Sequence, residues 1–340
     1  MKTSDFDYTL PQNLIAQFPP TIRGSSRLLV LNRTSGAIKD KKYTDIPDYL
    51  QKGDLVIFND TRVIKARLTV TTQNGANKEI IVLEKHGQND GWHKHKILYR
   101  RKLHVGEILK VGGSNIYVDE ICGGGTAIIR CEEDLLKLTD RFGTVPLPPY
   151  MHRESTKEDI NRYQTIWANE PGSVAAPTAS LNMTDKIINK IVNKSVDVGY
   201  ITLHVGLGTF LPIRTKNVED HIMHNEYFEI PKSTICKIKN VKNNGGRIIA
   251  VGTTVARTLE YSADKLIKSK NGLSGEADTF IYPGYEFKMV DILITNFHAP
   301  DSTVLMLTTA FAGKQHLFKA YEHAVKEGYA FLSYGDSMLI

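Results

Sequence analysis

Cysteine is scarce: Cys122, Cys131 and Cys236 are the three in the chain, and none belongs to a CxxC pair. An odd number at those spacings argues against a disulfide framework and a thiolate zinc site, and it fits a reducing compartment. Long apolar runs are missing as well, since no window approaches the ~18 uninterrupted residues of a membrane span. Met1-Lys2-Thr3-Ser4-Asp5 leads into Asp-bearing sequence instead of an apolar signal core. A cytoplasmic protein with no membrane segment is the expectation. Gly-x4-Gly-Lys-Ser/Thr and GxSxG are both absent, which removes a P-loop and a nucleophile elbow. His204–Phe210 holds a GxG but lacks the third glycine of a dinucleotide fingerprint. No segment is low-complexity and no 20–50-residue repeat is visible.

What is present is globular. The 340 residues are 41% hydrophobic and 24% charged, enough for roughly two domains of ~100–200 residues each. Lys and Arg number 43 against 37 Asp and Glu, a net charge of +6. That balance suits a mildly basic protein or one with a polyanionic partner, and charge alone does not choose.

The hydrophobic rhythm divides the chain. Arg27–Arg33 and Asp54–Asn59 read as buried strands. Short β-type runs follow at 68–72, 79–83, 96–99, 107–111, 115–121 and 126–131. Gly, Asn and Asp separate them, at Asn74-Gly75, Asn89-Asp90-Gly91, Gly112-Gly113 and Gly123-Gly124-Gly125. That spacing predicts a small antiparallel barrel or sandwich. A helix is expected over 132–138, an extended Val145-Pro146-Leu147-Pro148-Pro149, then alternation: helices 184–194, 232–243, 254–266, 303–312 and 315–327, strands 198–203, 247–251, 278–282 and 290–295. The strands at 27–59 have no helices of their own and belong to the later sheet. The expected fold is therefore a large α/β (mixed α+β) domain, 1–63 and 146–340, with a small antiparallel β-barrel domain inserted at 64–145.

Polar, Gly-rich junctions stand at the predicted strand ends, where such a scaffold carries function. They are 59–62, 170–178, 204–210, 252–257 and 296–303. Gly252 lets the backbone turn, and Thr253 or Thr254 either caps the next helix or leaves its N–H groups for a carboxylate or phosphate. His204, His221, His224 and His298 lie near these junctions and are either hydrogen-bonded structural residues or proton carriers. His221-x-x-His224 with Glu226 lacks a third ligand at standard spacing, so no metal site is expected. Between Trp92 and His104, Lys94, Lys96, Arg100, Arg101 and Lys102 interleave with Tyr99. They form either a nucleic-acid contact or a charged, protected sheet edge.

The order of motifs resembles the S-adenosylmethionine:tRNA ribosyltransferase-isomerase family of queuosine biosynthesis. The resemblance runs from Met1–Tyr8 to Tyr334–Ile340 through FNDTRVI (58–64), PLPPY (146–150), RYQT (162–165), GSVAAPTA (172–179), HVGLGTF (204–210), AVGTT (250–254) and LITNFHAP with STVLMLTTAFAG (293–313). It implies an enzyme that moves the ribosyl part of S-adenosylmethionine onto a 7-aminomethyl-7-deazaguanine at the tRNA wobble position, giving epoxyqueuosine and releasing adenine and methionine. S-adenosylmethionine is then a co-substrate consumed in the reaction, with no permanently bound cofactor and no metal, and the protein is expected to be a monomer. On that resemblance, His204, Glu170, His298 and Asp336 become catalytic candidates, with Glu170, Asp336, Phe210 or Phe297 as neighbours for the sulfonium. Ser173, Gly206, Gly208, Thr209, Gly252, Thr253, Thr254, Arg257 and Asn296 become contacts for S-adenosylmethionine. Arg62, Lys96, Arg100, Arg101 and Lys102 become contacts for tRNA.

Some positions depart from the family pattern. Asn182 and Met183 stand where a histidine and an aromatic are usual, and Asp301 replaces a usual lysine; Gly24 and Lys65 replace a common Asp and Pro. These departures admit an alternative, a catalytically weakened tRNA-binding paralogue. An RNA methyltransferase is a further alternative, disfavoured because the glycine-rich loop after a first Rossmann strand is missing.

Overall fold

The computed structural model describes residues 1–87, 91–210 and 212–340, the side chain of Phe210 excepted. The turn expected at Asn89-Asp90 and any ring contact from Phe210 lie outside the described residues.

A nine-stranded sheet forms the large layer. Its order is Leu273–Ala277, Glu226–Ile230, Asp197–Leu203, Leu55–Asn59, Ile248–Val251, Ile292–Asn296, Ser337–Leu339, Arg27–Leu31 and Ile38–Lys42. The four strands from Asp197–Leu203 to Ile292–Asn296 are mutually parallel. Strand residues alternate between two cores. Leu55, Ile57, Ile248 and Ala250 pack with the helices Lys232–Asn243, Thr253–Lys268 and Thr303–Ala312. Val56, Phe58, Ile249 and Val251 pack with Tyr43, Ile46, Ile187 and Ile191 on the other face. Burial on both faces explains why these strands read as unbroken apolar runs. The edge strand Ile38–Lys42 is mostly charged, which shields it from further pairing.

The insertion is a closed barrel of six antiparallel strands, spanning Arg67–Thr72 to Thr126–Cys131. Leu68, Val70, Ile80, Ile97, Leu109 and Ile129 fill it. The chain leaves the large sheet through Thr61–Val63 and returns through Glu170–Ser173, and these two segments pair in parallel.

Two sequence expectations need correction. The helix expected over 132–138 runs Leu135–Phe142, because Asp134 caps it, its Oδ1 accepting the Leu136 and Lys137 N–H groups at 2.8 and 3.2 Å. The strand expected over 278–282 is not one; the edge strand is Leu273–Ala277, and Thr279, Phe280 and Ile281 instead wall a cavity. The strands Glu226–Ile230, Ile38–Lys42 and Ser337–Leu339 were not expected.

One buried carboxylate holds the entry to the strand Ile292–Asn296. Glu260 Oε1 accepts the N–H groups of Met289 and Val290, both at 2.9 Å, and Oε2 accepts that of Lys288 at 2.8 Å. Glu260→Ala strands these donors, so a destabilisation of about 3 kcal/mol or more is expected, read as a lower urea midpoint at unchanged m. Glu260→Gln should cost less, since only its amide nitrogen opposes a donor.

Candidate functional site

Because the four central strands run the same way, their carboxyl ends meet at one edge of the sheet, where α/β layers take ligands. A cleft there spans about 720 Å³ of space between protein atoms, part of it open to solvent. Its walls come from separate junctions. Ala176–Ala179 form one side and Val205 with Thr209 another; Gly252, Thr253 and Thr254 form the third; Asn296, Phe297, His298 and Ser302 close it.

Local backbone explains the residue types. Gly252 has φ 99° and ψ 149°, which an L side chain resists, and the helix Thr253–Lys268 begins directly after it with no side-chain cap. The first N–H groups of that helix have no partner within it. The helix Thr303–Ala312 is capped by Ser302, whose Oγ accepts the Leu305 N–H at 3.2 Å.

Among the described residues, the cleft holds two titratable side chains, His298 and Tyr150. His298 Nε2 lies 2.8 Å from Thr295 Oγ1, and the residue is 9% exposed. Its backbone is clamped at both ends: the N–H donates to the Tyr321 hydroxyl at 2.9 Å and the carbonyl accepts from Tyr8. Burial pushes the imidazole down to about 3, so it is neutral at physiological pH. The Tyr150 hydroxyl sits 2.5 Å from Ser333 Oγ, and burial raises its phenol, keeping it protonated.

His204 stands behind the cleft wall. Its Nδ1 is 2.8 Å from Thr61 Oγ1, which is 2.7 Å from Ser173 Oγ, and Ser173 Oγ accepts the Val205 N–H at 2.7 Å. Burial, reinforced by the Lys85 charge, pushes His204 down to about 3. Gly206 donates its N–H to Glu226 Oε1 at 2.9 Å, and a Cβ on Gly208 would stand 2.6 Å from the His224 ring. Asn296 lines the cleft; its Nδ2 donates to the Asp336 carbonyl at 3.3 Å, while its Oδ1 is buried with no protein partner.

Not every candidate gathers here. Glu170 is exposed and accepts from Asn169 at 2.7 Å. Asp336 is buried but spends its carboxylate on the Arg27 and Ala330 N–H groups, at 2.6 and 2.8 Å. Neither lines the cleft. The departures at 182 and 183 are also elsewhere: Met183 is in the core, and Asn182, 2% exposed, faces the Gly335 carbonyl at 3.4 Å. Asp301 occupies a left-handed turn at φ 53° and does not line the cleft.

On the barrel, Lys96 is exposed and borders a groove with Trp92, Lys94, Glu84 and Lys85. Arg100, Arg101 and Lys102 are exposed at the far end of the same strand, with Arg100 3.4 Å from Glu79. Arg62 lies 3.7 Å from Asp140.

Sequence reasoning missed Tyr150 and Ser333 as cleft residues, although Tyr150 ends the PLPPY motif. It also read Glu226 beside two histidines, whereas Glu226 is ion-paired with Arg257, both buried. Among the described residues no group of three or more His, Cys, Asp or Glu is placed to hold a metal.

His204 and His298, two of the imidazoles that burial suppresses, contribute to a pH dependence. In the unfolded chain each has the usual value of 6.5, while folded it stays neutral down to about 3. Below pH 6.5 the unfolded state therefore binds protons that the native state does not, and stability falls as pH falls. Each imidazole contributes a slope approaching about 1.4 kcal/mol per pH unit as pH drops below that value. Denaturation between pH 7 and 5 should show a shallower slope for His298→Asn than for the parent; equal slopes would contradict the assignment.

Comparison with known proteins identifies the chain. The family described as "Queuosine biosynthesis protein" matches residues 3–340. An S-adenosylmethionine:tRNA ribosyltransferase-isomerase of Chlorobium phaeobacteroides is 51% identical over 344 residues, and one of Francisella tularensis subsp. novicida 44% over 352 residues, each covering 100% of both chains. A solved S-adenosylmethionine tRNA ribosyltransferase from Thermotoga maritima is 34% identical with a TM-score of 0.57, covering 99% of each chain. With its motifs in order along its whole length and its fold shared with a solved relative, the chain belongs to the queuosine biosynthesis protein family.

Proposed function

We infer that this chain is a transferase-isomerase that moves the ribosyl group of S-adenosylmethionine onto 7-aminomethyl-7-deazaguanine at the wobble position of tRNA. The product is epoxyqueuosine-tRNA, and adenine and methionine are released. The observation that carries this reading is the cleft itself: motif-bearing junctions far apart in sequence wall one cavity at the carboxyl ends of parallel strands. S-adenosylmethionine enters as a substrate and is consumed. A soluble, cytoplasmic monomer without a bound metal suits that role, with the large domain at 1–63 and 146–340 and the barrel domain at 64–145.

The chemistry needs a base for the proton on the carbon beside the sulfonium, an acid to help adenine leave, and a neutral amine. We assign the base to His298, the imidazole that lines the cleft, held by Thr295 and Tyr321. Tyr150, protonated and anchored to Ser333, is placed to donate. Phe297 offers a ring to the sulfonium, while no carboxylate lines this cleft among the described residues. His204 supports the wall through Thr61 and Ser173. RNA approaches along the groove of Lys94 and Lys96, whose neighbour Lys85 donates its N–H to the Gly172 carbonyl at 2.9 Å.

Mixing the protein with S-adenosylmethionine and precursor tRNA should release adenine and methionine in equal amounts. S-adenosylhomocysteine would instead indicate methyl transfer, and no product a binding protein. His298→Ala should slow the single-turnover step by ~100-fold or more. Removing the charges of Arg100, Arg101 and Lys102 together should weaken tRNA binding and reduce its salt dependence; an unchanged salt slope excludes them from the footprint.

A further inference from the structure

We propose that a second chamber opening off the main cleft binds the α-carboxylate of the methionine half of S-adenosylmethionine, with Arg257 and two helix N-termini as its ligands. The proposal rests on the ribosyltransferase reading above and adds to it the subsite that orients the co-substrate.

The two cavities share Thr209, Thr253, Thr254 and Val304 as walls, so they adjoin. Arg257 lines the second chamber with its side chain only 6% exposed. One guanidinium nitrogen, Nη2, pairs with Glu226, while Nη1 is buried with no partner among the described residues. Burial lowers Arg257 only to about 10, so it stays charged at neutral pH. A buried, unmade donor on a cation is costly unless a ligand completes it.

Other donors point the same way. Thr254 Oγ1 and Thr303 Oγ1 are both buried without partners, and both residues line the chamber. They stand in the first turns of the helices Thr253–Lys268 and Thr303–Ala312. Two helices of sixteen and ten residues thus bring their positive dipole ends to one small space. Glu226 offsets little of this. Its Oε1 accepts the Gly206 N–H at 2.9 Å and the Thr209 hydroxyl at 3.2 Å, and its Oε2 takes Arg257. The pair is neutral, and the helix ends and idle donors add positive potential that the more distant, exposed Asp278 offsets in part.

The walls decide which anion. Phe280, Ile281 and Leu307 are apolar, so the ligand carries a compact anionic head on a short apolar stem. An amino-acid carboxylate joined through two methylenes to a nucleoside's sulfur has that shape. An RNA phosphodiester, with a sugar on either side, does not. Glu226 is the one carboxylate lining the chamber among the described residues, and Gly206, Thr209 and Arg257 already take its oxygens.

The test compares two nucleosides that differ in the amino-acid half alone. Calorimetric titration with S-adenosylhomocysteine and with 5′-deoxy-5′-methylthioadenosine is run on the parent, on Arg257→Lys and on the double variant Thr254→Val, Thr303→Val. Lysine keeps the charge but not the forked geometry, and valine removes the hydroxyls at constant shape. The parent should bind S-adenosylhomocysteine the more tightly. Both variants should lose roughly tenfold or more of that affinity while methylthioadenosine binding is unchanged. Equal losses for both ligands, or no loss for S-adenosylhomocysteine, overturn the proposal. Should Arg257→Lys fail to fold, the threonine pair decides alone. If the parent binds neither nucleoside, the subsite proposal falls, while release of adenine and methionine from S-adenosylmethionine and precursor tRNA separately decides the ribosyltransferase reading.

Discussion

Parallel pairing is the constraint from which the site descends. A strand hydrogen-bonded in parallel to its neighbour must finish at the same edge, and four strands here do so side by side. Whatever residues follow each strand are thereby crowded into one region, although they stand at 59–62, 204–210, 252–257 and 296–303. The order of strand addition switches sides at Leu55–Asn59, with Asp197–Leu203 added on one side and Ile248–Val251 on the other. At such a switch the outgoing loops diverge and leave a crevice. The motifs supply what that crevice needs: Gly252 for a turn no other residue makes comfortably, Ser302 for a cap, small side chains at 175–179 for room.

The barrel is not suspended from a linker. The loop between its strands Asn77–Val82 and Lys94–Tyr99 reaches the large domain, where Lys85 donates its N–H to the Gly172 carbonyl and Glu84 lies so close to Gly206 that a Cβ there would stand 2.5 Å from its carboxylate. His86 lies 3.4 Å from Glu84 and 3.0 Å from Glu276 on the edge strand Leu273–Ala277. Hydrogen bonding to Glu84, then to Glu276, lifts His86 to about 9, so it is charged at neutral pH and ties the two carboxylates together. The barrel's contact with the large domain therefore falls on the very loops that back the cleft.

Much of the fold was legible because its signals are local. The helices Lys232–Asn243 and Thr303–Ala312 begin and end where apolar spacing, and for the second the Ser302 cap, place them, and the barrel announces itself by short runs between glycines. Strand order was not legible, since nothing in Ser337-Met338-Leu339 says that it lies between Ile292–Asn296 and Arg27–Leu31, a strand from the other end of the chain. Asp278–Tyr282 misled for a related reason: its β-branched and aromatic residues face a cavity instead of a partner strand. In the site, the junctions were visible as polar breaks after apolar runs, but not which side chains turn inward. Glu226 and Arg257 are 31 positions apart, and only the folded chain brings them together. Asp336 illustrates the converse, an acidic residue in a conspicuous motif whose oxygens are taken by backbone donors.

The position of Ser337–Leu339 bears on how the molecule is made. It sits between Ile292–Asn296 and Arg27–Leu31, so the early hairpin of Arg27–Leu31 with Ile38–Lys42 has no other bridge to the sheet. On a ribosome, the barrel's strands emerge together and can close at once, whereas that hairpin must wait with one apolar edge unpaired until the last strand appears. Vectorial synthesis thus leaves the nascent chain with a long-lived sticky edge, a contact order that slows completion and a natural point for chaperone engagement.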